Sequence, residues 1–155
     1  MWFRRIARLV VLLLLLLIVI GFAFFTPSDY ETLGYTDWDC RNPVPTAWVK
    51  HTLVLETPAK AVTVAIHEQK HVEQMLRFGS CNQYKSAWWA SPDSLGFEME
   101  AEAFCAHAQA EVELGIETVL ENAIDAHAFT LATAYRFGVT QDSARARITF
   151  YCQEE

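Results

Sequence analysis

A pentapeptide in the middle of the chain, His67-Glu68-Gln69-Lys70-His71, restricts the possible folds more than any other feature. Two histidines four apart grip one ion readily on a helix, where positions i and i+4 share a face, and Glu68 then stands beside them. A fold for this chain must hold a helix here and bring a further donor to it, because a metal that keeps one position open for water takes three protein ligands. HExxH also arises by chance, so its surroundings decide.

Thr57-Pro58 reads as a helix start and Gly79 as a stop, which predicts a helix over 58–78. Projected around that helix, Val64, Ala65, Val72, Met75 and Leu76 form an apolar stripe, with Glu68 near its centre and His67 and His71 on its edge. Gln69, Lys70, Glu73, Gln74 and Arg77 fall on the solvated side, whereas Val62 and Ile66 break the pattern and call for another element. Turning a carboxylate inward without a partner is costly, so Glu68 needs a reason to face the core.

Ser91-Pro92-Asp93 starts a second predicted helix that runs to about Leu114. Its stripe is Phe97, Ala101, Phe104, Cys105, Ala108 and Val112. Glu98 borders the stripe and is the expected third ligand. Glu102, one turn on, is placed to accept a hydrogen bond from the outer nitrogen of a ligand histidine. Glu100 and His107 point away, and His51 reads as a surface residue.

With these residues in place, the chain resembles the gluzincin metallopeptidases, in which an HExxH helix is followed by a helix carrying a glutamate ligand and an acidic residue four positions later. The matching string is Glu98-Met99-Glu100-Ala101-Glu102, with Glu102 where several such families carry Asp. The stretch from His67 to Gln74 is also similar to small membrane or secreted gluzincin-like domains with a glutamine three residues after the second histidine. The resemblance covers residues 47–115. It implies a mainly α, minimal zincin-like α+β fold: one short edge strand or hairpin, an active-site helix, a glutamate helix and two C-terminal helices.

The strand is expected over 48–55, where it either pairs with extended substrate or simply packs. One Zn2+ held by His67, His71 and Glu98 would activate a water, with Glu68 as general base, to hydrolyse a peptide or protein substrate. By residue type alone, His127, Tyr84 and Tyr135 are candidates to stabilise the oxyanion. Two histidines and a carboxylate also suit iron, but iron oxygenases of that type usually sit on a β-barrel and this chain reads as helical. The competing function is a non-catalytic, zinc-binding, membrane-tethered interaction or assembly module; a helical domain with a fortuitous motif is a third reading.

Residues 6–25 are apolar apart from Arg8 and include an unbroken leucine run over 12–17, long enough for one bilayer-spanning helix. Arg4, Arg5 and Arg8 at its start predict a single-pass anchor in the cytoplasmic membrane, amino end in the cytoplasm and the remainder extracytoplasmic, periplasmic or extracellular. A signal peptide ending near Gly21-Phe22-Ala23 is the alternative. The implied plan is an anchor over 1–25, an irregular lead-in over 26–46 and one metallopeptidase-like domain over 47–155.

Cys40, Cys81, Cys105 and Cys152 contain no CxxC and suit two disulfides, with Cys40–Cys81 and Cys105–Cys152 preferred among three pairings. Setting aside the three anchor arginines leaves 9 of the 12 basic residues against 19 acidic ones, a charge of −10 that disfavours nucleic acid and anionic lipid as partners. Apolar helices over 116–137 and from Thr140 to Cys152 read as scaffold, and Trp88 and Trp89 fall in the loop between the two motif helices.

Overall fold

Gly34–Asp37 (β1) and Thr46–Val49 (β2) form an antiparallel hairpin in which Gly34 faces Val49 and Asp37 faces Thr46. Among the described residues six helices follow: His51–Glu56 (α1), Pro58–Leu76 (α2), Cys81–Ala90 (α3), Pro92–Glu113 (α4), Leu120–Ala134 (α5) and Gln141–Glu154 (α6). The structure is a computed structural model that describes residues 33–135 and 137–154.

Local sequence explains most boundaries. Pro58 opens α2 and Pro92 opens α4, where a missing N–H costs nothing. Ser80 caps α3 by accepting from the Gln83 amide. Gly79 follows the end of α2 with φ of 76°, a left-handed turn that a side chain would disfavour.

Helix α4 is the axis of the fold, packing on α2 and α3 at one side and on α5 and α6 at the other. Ala101, Ala103, Ala108 and Ala110 are all buried along it, and their small side chains let helices close in from several directions. One core cluster joins Phe104, Cys105 and Ala108 of α4 to Ile124, Ala128 and Leu131 of α5 and to Ala144 and Ile148 of α6. A second joins Trp38, Met75, Cys81 and Met99, with Tyr84 and Trp88 against it.

Both preferred disulfides are present: Cys40–Cys81 ties the hairpin region to α3, and Cys105–Cys152 ties α4 to α6. The second closes a separation of 47 residues, so replacing both of its cysteines with alanine should lower stability by about 2–4 kcal/mol through the freed unfolded chain. Urea unfolding of the variant reads this directly, and a loss under about 1 kcal/mol would contradict the loop-closure argument.

Several expectations need correction. The strand expected over 48–55 ends at Val49, where pairing with β1 ends, and 51–56 is helical despite its β-branched residues. Tertiary pairing overrides such a weak local preference. The lead-in over 26–46 is not irregular throughout, since it contains β1. The loop expected to hold Trp88 and Trp89 is the helix α3, with Trp88 packed near Tyr84 and Trp89 80% exposed. Helix α5 is shorter than the predicted 116–137.

The expected anchor over 6–25 lies outside the described residues. Among the described residues no helix is long and apolar enough to cross a membrane, so the structure lends no support to the anchored, single-pass topology or to the extracytoplasmic placement drawn from it.

Candidate metal centre

The buried face of α2 carries His67, Glu68, His71 and Gln74. Glu68, both histidines, Val64 and Met75 face inward as the stripe predicts, but Ala65 and Leu76 of that stripe are exposed, and Gln74, expected in solvent, is 3% exposed because α4 covers that side. Val62 and Ile66 remain exposed.

Helix α4 brings Glu100 to the histidines. The two Nε2 atoms lie 3.2 Å apart, Glu100 Oε2 lies 3.3 Å from His67 Nε2, and its Oε1 lies 3.5 Å from His71 Nε2. Donors arranged tetrahedrally around a zinc-sized ion, with bonds of about 2.0–2.1 Å, would sit about 3.3 Å from one another.

Hydrogen bonding explains why these atoms need a cation. The Gln74 amide nitrogen donates to the Met99 carbonyl and to Glu102 Oε2, each at 2.9 Å, which turns its Oε1 towards His71 Nδ1 at 2.8 Å. His71 therefore carries its proton on Nδ1 and, when neutral, presents a bare lone pair at Nε2. Glu100 Oε2, buried and without a hydrogen-bond partner among the described residues, faces the same point. Burial alone would raise the Glu100 carboxyl, but the two imidazoles hold it down to about 2 and keep it anionic. His71, which burial would lower, is raised on balance by Glu100 and Gln74. His67, His71 and Glu100 thus form a cluster suited to one metal ion.

Glu98, the expected third ligand, is engaged elsewhere. Arg147 Nε donates to its Oε2 at 2.6 Å and the Tyr151 hydroxyl at 2.7 Å, both from α6. Residues two apart on a helix point about 200° apart, so Glu98 and Glu100 cannot both address the histidines. Helix α4 is buried on several faces and has no single inward direction, so a border position on one apolar stripe does not mark the residue that faces the histidines. Glu102 does not reach a histidine directly; it holds Gln74, while Arg77 donates to both its oxygens at 2.6 and 3.0 Å. Burial would raise its carboxyl, but Arg77 and Gln74 hold it low. The outer partner of His71 is an amide, with the carboxylate one step behind.

Replacing Gln74 with Leu should weaken metal binding about 10–100-fold, because the His71 tautomer loses its clamp. Titration of the metal-free protein against a competing chelator measures this, and unchanged affinity would remove Gln74 from the centre.

Glu68 lies beside the donors and is held from the hairpin. Thr36 Oγ1 is 2.8 Å from Glu68 Oε2 and 3.0 Å from the Glu68 carbonyl oxygen. A Cβ on Gly34 would sit 2.9 Å from Glu68 Oε1 and 2.8 Å from Val64, so only glycine lets β1 approach so closely. Burial raises the Glu68 carboxyl, opposed by Thr36 and the histidines.

The three candidate oxyanion partners separate. Tyr84 packs among Trp38, Phe78 and Trp88 against the second core cluster. His127 pairs with Glu111. Tyr135, at the end of α5, sits beside the centre: burial, then the charge of Glu100 and a hydrogen bond to it, push its hydroxyl far above the usual tyrosine range. Sequence reasoning missed Glu100, Gln74 and Thr36 as contributors. For Gln74 the usable signal was its place three residues after His71.

The hairpin, the HExxH helix and the Glu100 helix make a gluzincin-like metal-binding site of the kind found in metalloenzymes, within a mainly α fold. No protein-family model, characterised protein or solved structure matches the chain.

Proposed function

We propose that the protein is a zinc-dependent hydrolase acting on peptide bonds. The observation that carries this reading is the placing of Glu68: a buried carboxylate beside the three donors, hydrogen-bonded by Thr36 and contributing no donor to the cluster. A structural zinc takes four protein ligands and needs no such group, so the non-catalytic alternative leaves Glu68 unexplained. The donor set of two imidazoles and one carboxylate suits zinc.

His67, His71 and Glu100 would hold the ion, whose chemistry is to make a water nucleophilic near neutral pH and to polarise a carbonyl. Glu68 accepts the proton of the attacking water and passes it to the leaving amine. The Tyr135 hydroxyl would turn from Glu100 to donate to the oxyanion formed from the scissile carbonyl.

The test is hydrolysis of an unfolded protein substrate by the purified full chain before and after treatment with a strong chelator. Activity should vanish on chelation and return with zinc. Hydrolysis that survives complete metal removal, or a zinc-loaded chain that cleaves nothing across a peptide library, would overturn the reading.

A further inference from the structure

A second group of metal-type donors lies outside the HExxH centre. His107 and Glu111 stand four apart on α4, and His127 reaches them from α5. His127 Nε2 is 3.0 Å from Glu111 Oε2, His107 Nε2 is 3.5 Å from Glu111 Oε1, and one donor atom from each residue falls within 4.8 Å of the others. Their side chains are only 13%, 18% and 12% exposed, which separates them from ordinary surface pairs.

The rings are also held in place. Phe104 stacks on His127 at 4.9 Å and 24° and on His107 at 6.4 Å and 28°, while its edge meets His67 at 4.7 Å. A site with pre-set ligand orientations loses little freedom on binding. The i,i+4 pair on one helix with a third ligand from the next repeats the construction of the first centre.

We propose that His107, Glu111 and His127 form a second, mononuclear site for a divalent transition metal with a preference for nitrogen and oxygen donors. It shares no ligand with the first, although the His107 ring lies 5.7 Å from that of His67, so the two sites are neighbours. Its location defines its use. An ion there ties α5 to α4, and Tyr135, which stands beside Glu100, is the residue that follows the last one of α5.

The test is metal stoichiometry of the full chain, by plasma mass spectrometry after zinc loading and desalting, for wild type, His71→Ala, His127→Ala and Glu111→Gln. Two ions in wild type, one in each variant and none in His71→Ala/His127→Ala is the expected result. One ion in wild type that persists in His127→Ala, or a second ion that persists in both His127→Ala and Glu111→Gln, overturns the second site. An ion kept in His71→Ala and lost in His127→Ala supports the second site while sinking the HExxH centre, so the two failures are distinguishable. Should the variants unfold, titration of metal-free wild type with Co2+ decides, because two sites give two equivalents of visible absorption and one site gives one.

Discussion

Glu100→Gln should strip the metal from the HExxH centre and abolish hydrolysis, whereas Glu98→Gln should leave both in place. The contrast is sharp because the two residues are chemically identical and sit two positions apart on α4. Glu100 supplies an anionic oxygen beside both histidines, and its amide analogue brings no charge to offset the ion. The expected fall in affinity exceeds the about 10–100-fold typical of an outer partner. Glu98 is bound to Arg147 and Tyr151, so its loss should appear as a modest drop in stability. Metal analysis and thermal unfolding of both variants check this. Metal lost from Glu98→Gln and retained by Glu100→Gln would reverse the assignment.

Glu68→Gln should have the second large effect, and of a different kind. The ion stays, because Glu68 contributes no donor, while hydrolysis falls by about 10²–10⁴-fold as the base disappears. Thr36 has its second acceptor at the Glu68 carbonyl, so the change leaves it with a partner. A variant that keeps its metal and full activity would exclude Glu68 as the base. Loss of metal together with activity would instead make it a ligand.

The active-site helix was the most legible element. Pro58, Gly79 and the His67/His71 spacing located it, and the turn of its inward face followed from Glu68 and Met75. Both disulfides followed from weaker cues. What escaped depended on contacts between elements. Gln74 looks like a solvated residue until α4 arrives to cover it, and Glu100 looks outward until α4 is seen to have more than one inside. The hairpin strand that holds Glu68 was hidden because β1 spans only Gly34–Asp37, too short for alternation to register. Thr36 and Gly34 matter only through that approach.

The helix that defeated the stripe argument also explains how a short chain can carry so much ligand chemistry. Along α4, Glu100, Phe104, His107 and Glu111 descend at steps of four, three and four, the spacing of a coiled-coil seam. In an ordinary bundle that seam would be filled with leucine. Of these four Phe104 is the one large apolar member, and its ring touches both donor sets, whose His67 and His107 rings also meet directly. A fold of this build exchanges part of its greasy interior for polar groups that have only one another as partners without an ion, so its folding should respond to trace metal supply as well as its chemistry.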